Sequence, residues 1–223
     1  MAAPSLLVTR ELRSFRPAAV FNQGVVHWVD RLAAGTALIG VAPALGATML
    51  AVRALSGRSP LIAHRRIGLH GEPFWILKIR TMWDGPLAKA APLWIEYLGE
   101  TDVPVSKGGP DPRVTSRLAA FCRRYSIDEL PQLLQVVTGR LSLVGPRPLT
   151  SSELEAYYGP DCGEVLSVRP GLTGLWQVMG RNRLTYAQRR RLDLFYLRKC
   201  GLGLYLRILL RTPAQILSGR DAW

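Results

Sequence analysis

Two adjacent carboxylates, Asp128 and Glu129, stand directly before a leucine and a proline in the segment SIDELPQLLQVVTGRLSLVGPRPL, residues 126–149. The same segment ends with Arg147 held between two prolines. Carboxylates act as nucleophiles that form aspartyl phosphates, and a diphosphate substrate needs cations to absorb its charge. The pattern therefore indicates phosphoryl chemistry, with Asp128 as nucleophile and Glu129 as a neighbouring acid, base or positioning group.

Helix capping is the structural alternative for this pair. Ser126 and Glu129 have the S-x-x-E spacing of a capping box. Pro131 is tolerated only in the first turn of a helix, however, so we expect Asp128 to be the N-cap of a short buried helix. There, a phosphate, a metal ion or capping alone would explain the two carboxylates. Apolar residues follow at helical spacing up to a glycine placed to end the helix: Leu130, Leu133, Leu134, Val137 and Gly139.

Basic residues elsewhere in the chain complete a candidate phosphate site. Lys78 and Arg80 are two apart on a strand predicted from Phe74 to about Arg80, so they would point to the same face. The prolines around Arg147 reduce the entropy lost when its planar guanidinium binds phosphate. A solvated surface charge is the alternative for each of these residues taken alone. The candidate phosphate-binding residues are Lys78, Arg80, Arg113, Arg123, Arg147 and Arg181.

The composition narrows the class of protein. The 223 residues suffice for one catalytic domain with attachments, and 29 Lys and Arg against 16 Asp and Glu give a net charge of +13. Such a charge implies an anionic partner: nucleic acid, anionic lipid or a phosphorylated substrate. Cys122, Cys162 and Cys200 lie far apart, which favours neither a disulfide framework nor a zinc site and fits a reducing cytosolic compartment. The first 25 residues do not resemble a secretory signal.

An apolar segment near the N-terminus predicts contact with a membrane. Residues 32–52 carry no charge, and as a continuous helix these 21 residues would cover roughly 31 Å, about one hydrocarbon core. A spanning helix and a buried helix of a soluble protein are both possible. Pro43 at the centre and arginines at both ends favour a third arrangement, a broken helix that dips into the membrane and returns. The carbonyl freed by Pro43 would then need a partner such as Thr48 or packed protein.

The remaining segments predict short elements around the site. Residues 60–82 read as two strands around a glycine-bearing turn, and residues 83–110 as an irregular loop with a possible short helix near Leu93–Leu98. A short basic helix should precede Asp128. The glycines of RPGLTGLWQVMGRN, residues 169–182, predict a loop with close backbone approach.

Two helices are expected at the C-terminal end. Thr185 and Gln188 form a capping box for a helix running to about Lys199. Arg207 and Arg211 then stand one turn apart among leucines, which is typical of an interfacial amphipathic helix, although a core-packed terminal helix fits nearly as well.

Four blocks of this sequence resemble, in order and with matching spacing, the signature blocks of the bacterial sugar transferases, the monotopic polyprenol-phosphate phosphoglycosyl transferases. These blocks are KIRTM, DPRVT, SIDELPQLLQVVTGRLSLVGPRPL and RPGLTGLWQVMGRN. The resemblance extends from about Trp28 to the C-terminus. It implies an α+β, mostly helical monotopic membrane protein with a proline-broken re-entrant helix, a small β-hairpin and amphipathic interfacial helices. The expected organisation is an N-terminal tail (1–25), the re-entrant helix (26–58) and a catalytic domain on the cytosolic face (59–223).

The resemblance also implies an activity. Proteins of this family transfer a sugar 1-phosphate from a nucleotide diphosphate sugar, usually a uridine diphosphate sugar, to polyprenol (undecaprenyl) phosphate. The reaction depends on Mg²⁺ and passes through a phosphosugar–aspartyl intermediate, here on Asp128, which is also the expected metal-binding residue. It initiates exopolysaccharide, O-antigen or capsule synthesis at the cytoplasmic face of the bacterial inner membrane, where anionic lipids, rather than nucleic acid, are expected partners.

The family's functional residues can be matched to positions of this chain. The matching basic residues are Lys78, Arg123, Arg147 and Arg181, and the less securely matched polar residues are Gln177 and Asp193. The resemblance leaves the sugar, the pathway and the oligomeric state open.

Three departures from the family pattern stand out. Ala42 precedes Pro43 where relatives commonly carry serine, so no serine hydroxyl can bridge the freed backbone group. His64 replaces a glutamine found in many relatives. The four-helix region of larger relatives is absent, which indicates the minimal form. The alternative to an enzyme is a non-catalytic basic protein that binds membrane or nucleic acid, but such a protein has no use for buried adjacent carboxylates.

Overall fold

The structure is a computed structural model that describes residues 23–83, 94–98 and 114–219. Arg113 and most of the predicted N-terminal tail therefore lie outside the described residues, as does most of the predicted irregular loop at 83–110. The helices are α1 (Gln23–Ser56), α2 (Arg117–Arg124), α3 (Leu133–Val137), α4 (Ser151–Glu153), α5 (Cys162–Val165), α6 (Leu175–Met179), α7 (Tyr186–Lys199) and α8 (Leu202–Ser218). The strands are β1 (Leu61–Ile67), β2 (Pro73–Ile79), β3 (Ile95–Leu98), β4 (Ser142–Val144) and β5 (Gly171–Thr173). The prediction of a mostly helical chain with a small sheet is confirmed.

Helix α1 is apolar, is 34 residues long and contains Pro43. By length and composition it could cross a membrane, and only 6% of its most apolar window is buried. Ile39, for example, is 78% exposed. The helix is continuous through Pro43, and the Thr48 hydroxyl donates to the carbonyl of Ala44 at 2.8 Å. Thr48 therefore does not bind the carbonyl of Ile39, which Pro43 leaves without its usual donor, and the prediction of Thr48 as that partner is wrong. Packed protein, the other expected partner, stays a prediction.

The first sheet has the strand order β2-β1-β3. Strands β1 and β2 form the predicted antiparallel hairpin, with Leu61 opposite Ile79. Strand β3 lies parallel to β1 on the other side, which shows that the helix predicted near Leu93–Leu98 is wrong. β-branched and aromatic residues favour a strand there, and Glu96 of β3 forms an ion pair with Arg80 just beyond β2. A distant partner thus decided the conformation of this short segment.

A second, two-stranded sheet joins the GPRP segment to the glycine-rich segment at 169–182. Strands β4 and β5 are parallel, and helix α6 follows at once, so the prediction of a loop here is wrong. The predicted close backbone approach is confirmed: a Cβ atom on Gly171 would lie 2.1 Å from the backbone nitrogen of Gly145. Gly145 N donates to Thr173 O at 2.9 Å and Gly171 N donates to Pro146 O at 2.8 Å. The backbone on the N-terminal side of Arg147 is thereby fixed.

The substitution Gly171→Ala should destabilise the protein by about 3 kcal/mol or more, because the added methyl group meets backbone atoms that cannot move aside. Thermal or urea unfolding in detergent would measure the change. Gly163→Ala is the matched control, since a Cβ atom on Gly163 would meet nothing within 4 Å. Equal stability of the two variants would show that the β4–β5 contact is not tight.

Two clusters of buried side chains hold these elements together. The larger one lies in the C-terminal half and includes Tyr158, Leu175, Tyr196 and Ile208. The smaller one joins α1 to the hairpin and to α3, and consists of Ala34, Phe74, Ile76, Leu133, Val136 and Leu141.

Asp30 of α1 connects three parts of the fold. Its side-chain oxygens are buried and accept hydrogen bonds from Ser142 Oγ at 2.5 Å, from Leu143 N at 3.0 Å and from the Tyr205 hydroxyl. Buried polar groups of this kind are tolerated when donors satisfy them. Helix α1 is thus attached to β4 and to α8 through one side chain.

The C-terminal helices follow the sequence expectations closely. Thr185 and Gln188 form the predicted capping box, with Gln188 Oε1 accepting from Thr185 N at 2.8 Å, and α7 ends at Lys199. Helix α8 buries Tyr205 and Ile208 but exposes a row of leucines. The core-packed interpretation is confirmed for one face, while another face presents an apolar surface whose contact with a membrane interface stays a prediction. The exposed leucines are Leu202, Leu206, Leu210 and Leu217.

Candidate active site

The carboxylate pair lies in a 3₁₀ helix, Ile127–Gln132, that leads directly into α3. Ser126 precedes it in the left-handed region at φ 54°, and its side chain makes no capping hydrogen bond. This geometry excludes the capping box. Asp128 is also not the N-cap that we expected, because the tighter 3₁₀ turn begins one residue earlier and includes Pro131. Gly139, at φ 76°, ends the helical stretch as predicted.

Asp128 has few partners for a buried acid. Its side chain is 8% exposed, and no other side chain among the described residues donates a hydrogen bond to its carboxyl oxygens. Burial raises the pKa of Asp128; Lys78 and Arg123 act in the opposite direction, while Glu129 raises the pKa further. The result is a carboxyl group that ionises less readily than an ordinary aspartate and whose oxygens remain available to a substrate or a metal ion.

Glu129 is in a different electrostatic environment. Burial alone would raise its pKa, but Lys78 and then Arg147 outweigh this effect and hold the pKa of Glu129 below its ordinary value. Lys78 Nζ lies 2.7 Å from Glu129 Oε1, and the two side chains are 19% and 28% exposed. The environments of these two neighbouring carboxyls therefore shift their pKa values in opposite directions. Active sites in which one carboxyl acts as an acid and the other as a base have this arrangement.

Arg147 lies within electrostatic reach of a second buried acid, Asp193. The Tyr158 hydroxyl donates to Asp193 Oδ2 at 2.7 Å, while Oδ1 is buried without a hydrogen bond from the described residues. Burial raises the pKa of Asp193 to about 7, against the opposing effects of the Tyr158 hydrogen bond, Arg147 and Arg189. Because Arg147 lowers the pKa of both Glu129 and Asp193, its guanidinium connects the two acids.

An aromatic ring supports the guanidinium of Arg147. The Trp176 ring centroid lies 5.9 Å from Arg147 and 4.6 Å from Arg189, and Arg189 also lies 5.0 Å from the Tyr186 ring. Such contacts position arginines while leaving their N–H groups available. Arg189 was not predicted from the sequence as a site residue, because three consecutive arginines do not reveal which one faces inward. Its position three residues after Tyr186 on a capped helix was the available signal.

Arg181 and Ser126 form a hydrogen bond near the carboxylate pair, and the backbone of both residues is strained. Arg181 Nη2 donates to Ser126 Oγ at 3.0 Å, and both residues have positive φ angles, 46° and 54°. Non-glycine residues in this region cost free energy, and they cluster at functional sites. Ser126 is thus a second residue that sequence analysis missed. Arg123 Nε is buried and lacks a partner within the described chain.

Other predicted site residues lie elsewhere or remain without a defined role. Arg80 is 5% exposed, donates through Nε to Ser59 O at 2.8 Å and pairs with Glu96, so the structure gives it partners other than the carboxylate pair. Gln177 lies on α6 beside Trp176, with Oε1 buried and unpartnered among the described residues. Its role stays a prediction.

His64 resembles the glutamine found at this position in many relatives in that its side chain carries no charge. Burial, and then Arg66, Lys78 and Arg80, lower the pKa of His64 to about 4. The imidazole is therefore neutral at physiological pH, as an amide would be, and it adds no charge to the cluster around Lys78.

The carboxylates present fit a magnesium ion that is completed by substrate. The described residues contain no cluster of three His, Cys, Asp or Glu side chains. Mg²⁺ is commonly held by one or two carboxylates together with substrate phosphates, so a protein cage is not needed. Asp128 is the available ligand, since Glu129 is already paired with Lys78.

Replacing Asp193 with asparagine should change the pH dependence of stability. Because the pKa of folded Asp193 is raised to about 7, the wild type loses stability as pH rises from the ordinary aspartate range, about 4, to 7. The Asp193→Asn variant lacks this loss. Its unfolding midpoint, relative to the wild type, should rise by about 3 °C or more between pH 5 and pH 8. A constant difference across that range would contradict the assignment.

A long exposed apolar helix is joined here to a site of buried carboxyls and nearby basic side chains, an arrangement that indicates a membrane-associated enzyme. Comparison with known proteins agrees. A family model described as bacterial sugar transferase matches residues 21–219. The chain belongs to the bacterial sugar transferase family, and the expectations of that family and of an enzyme are confirmed.

Individual relatives are similar over most of this chain. It is 37% identical to the exopolysaccharide production protein ExoY of Sinorhizobium fredii, over 97% of this chain and 95% of ExoY. It is 38% identical to the UDP-glucose:undecaprenyl-phosphate glucose-1-phosphate transferase of Caulobacter vibrioides, over 87% of this chain and 70% of that protein. It is also 38% identical to the undecaprenyl-phosphate galactose phosphotransferase of Salmonella typhimurium, over 74% of this chain and 34% of that protein.

Proposed function

We propose that this protein transfers a sugar 1-phosphate from a nucleotide diphosphate sugar to polyprenol phosphate, with a uridine diphosphate sugar as donor. The observation that carries the proposal is the buried carboxyl of Asp128, to which no other side chain of the described residues donates a hydrogen bond, beside a Glu129 that pairs with Lys78. The names of the relatives from Caulobacter vibrioides and Salmonella typhimurium support a lipid-phosphate acceptor. The product would be a polyprenol diphosphate sugar that initiates the synthesis of a surface polysaccharide.

The reaction would proceed in two displacements at phosphorus. An Asp128 oxygen attacks the sugar-linked phosphate of the donor, a new P–O bond forms, and the bond to the bridging oxygen breaks. The nucleoside monophosphate leaves with that oxygen and its electron pair. A phosphate oxygen of polyprenol phosphate then attacks the same phosphorus and displaces the Asp128 carboxylate, which returns to its starting state.

The surrounding cations would stabilise the charge that each displacement creates. Arg147 and Arg181 are suited to bind the diphosphate, because a guanidinium fork matches phosphate oxygens. Lys78 fixes Glu129 beside the nucleophile at 2.7 Å. Mg²⁺, when held by Asp128 and the donor phosphates, would supply additional charge neutralisation.

A donor screen tests this proposal. Purified protein in nanodiscs would be given polyprenol phosphate and a series of nucleotide diphosphate sugars, and released nucleotides would be separated. Nucleoside monophosphate should appear with the correct donor. Release of nucleoside diphosphate instead would indicate direct glycosyl transfer and would overturn the proposed chemistry. Without polyprenol phosphate, label from the sugar-linked phosphate should remain on Asp128.

We also propose that α1 dips into the cytoplasmic leaflet of the bacterial inner membrane and returns, which keeps the catalytic domain on the cytoplasmic side. Pro43 removes one helix hydrogen bond near the middle of α1, which makes this the natural point of bending. Arg31 precedes the apolar part of α1, and Arg53, Arg58 and Arg65 follow it. Basic residues at both ends favour the cytoplasmic side for both.

Cysteine labelling should distinguish this topology from a spanning one. In a background without Cys122, Cys162 and Cys200, single cysteines at Gly24 and Arg65 should both react with an impermeant thiol reagent only when the cytoplasmic side is open. Pro43→Leu restores the missing N–H and should shift part of the population to a spanning topology, with a proportional loss of activity. If the cysteines at positions 24 and 65 were labelled from opposite sides of the membrane while Pro43 is retained, the re-entrant arrangement would be contradicted. The chemistry proposed for Asp128 would not be affected.

A further inference from the structure

Arg31 and Arg169 meet beside the start of α1 without an ion pair to any carboxylate of the described residues. Arg169 Nε donates to the carbonyl of Gly139 at 2.9 Å, and a Cβ atom on Gly139 would lie 2.1 Å from Arg31 Nη2. Both guanidinium groups therefore lie against the same glycine. Within residues 23–83, 94–98 and 114–219 neither forms an ion pair with Asp or Glu, and Arg31 Nε is buried without a partner.

The nearest acid in the sequence does not complete this cluster. Asp30 points into the core, where Ser142, Leu143 and Tyr205 supply its hydrogen bonds. Burial, and then the charge of Arg31, lower the pKa of the Arg169 guanidinium, which shows that the two cations repel each other. Two like charges held together in this way need an external anion.

The surroundings of the arginine pair are apolar and exposed. Val25, Trp28, Val29 and Leu32 on α1 are 59%, 66%, 57% and 70% exposed, and the Arg31 guanidinium lies 5.1 Å from the Trp28 ring centroid. Tryptophan and arginine at the end of an apolar helix are typical of the membrane–water interface. The anion that reaches this position is therefore one attached to apolar chains.

We propose that Arg31 and Arg169 bind the phosphate of an anionic phospholipid headgroup, whose acyl chains lie along the exposed row of α1. This lipid site is separate from the carboxylate pair. Gly139 follows Glu129 by one short 3₁₀ segment and helix α3, a separation on the order of 15 Å. The inference depends on contact between α1 and the membrane, not on the proposed reaction, so failure of either leaves the other standing.

Lipid titration of the full chain in a non-ionic detergent tests the site. Phosphatidylglycerol should raise the unfolding midpoint at concentrations where phosphatidylcholine and inorganic phosphate do not. In the double variant Arg31→Gln/Arg169→Gln, roughly twenty-five-fold more phosphatidylglycerol should be needed for the same rise, because each arginine near an anionic surface contributes about fivefold in affinity. Arg31→Gln alone should require about fivefold more. The single variant Arg31→Gln removes no hydrogen bond seen in the described residues and should therefore fold. It tests the lipid site even if the double variant does not fold.

A second double variant controls for net charge. Arg117 on α2 and Arg191 on α7 are exposed, and Arg117→Gln/Arg191→Gln removes the same two charges from elements other than α1. It should respond to phosphatidylglycerol as the wild type does. An equal response in both double variants, or in Arg31→Gln and the wild type, would show that no localised lipid site exists there. A response to inorganic phosphate as strong as that to phosphatidylglycerol would show a free-anion site instead of a lipid site.

Discussion

Asp128→Asn is expected to lower the transfer rate by about three orders of magnitude or more while leaving the protein folded and membrane-bound. The amide cannot form the covalent bond to phosphorus, so the first displacement is lost rather than slowed. Release of nucleoside monophosphate measures the rate, and the unfolding midpoint verifies the fold. Since the folded state raises the pKa of Asp128, a neutral amide at this position should not destabilise the protein.

Asp161→Asn is the matched control for that change. Asp161 is also an aspartate in the C-terminal half, but it pairs with Arg190 on α7, with Arg190 Nε 2.8 Å from Asp161 Oδ2. Its replacement should leave the rate within a factor of about two, because surface ion pairs contribute little. If Asp128→Asn kept even a tenth of the wild-type activity, Asp128 could not be the nucleophile.

Arg147→Lys should reduce kcat/KM by roughly a hundredfold although the charge is kept. Arg147 influences both Glu129 and Asp193, and its guanidinium lies 5.9 Å from the Trp176 ring centroid. A lysine ammonium is a point charge without the planar fork. It cannot donate hydrogen bonds in the fixed directions that a guanidinium offers at the same time. Steady-state kinetics at varied donor concentration would measure the loss.

Arg140→Lys provides the comparison for this variant. Arg140 is 61% exposed and its only ion pair in the described chain, with Glu72, is 3.9 Å long. The same chemical change there should leave kcat/KM nearly unchanged. Near wild-type kinetics for Arg147→Lys would assign Arg147 a structural role in the GPRP segment.

Local chemistry made parts of this fold predictable from the sequence. The capping box of Thr185 and Gln188 defines the start of α7 because all its partners lie within four residues. The hairpin of β1 and β2 is also local, and Gly139 ends α3 through its own backbone preference. These features depend on neighbouring residues alone.

Elements that depend on distant partners were not predictable in this way. Strand β3 is only four residues long, and it is a strand because β1, far back in the chain, pairs with it. Strand β5 depends similarly on β4. Tertiary context overrides local preference in such short segments.

The candidate site shows the same division between motif and geometry. Asp128, Glu129, Lys78 and Arg147 were identified from the residue types and the resemblance, and the structure brings them together. The orientation of Arg189 toward Trp176 and the left-handed conformation of Ser126 depend on packing between elements remote in sequence. No pattern of residue types contains that information.

Asp30 also determines when the protein can finish folding during its synthesis. The donors to its side chain lie 112, 113 and 175 residues further along the chain. Helix α1 leaves the ribosome early and can enter the membrane at once, but the Asp30 oxygens have no protein donor until β4 has been made. The last donor, Tyr205, arrives only when α8 is being translated. Closure of the later elements onto α1 therefore waits until α8 has been made, and until then the Asp30 side chain stays hydrated.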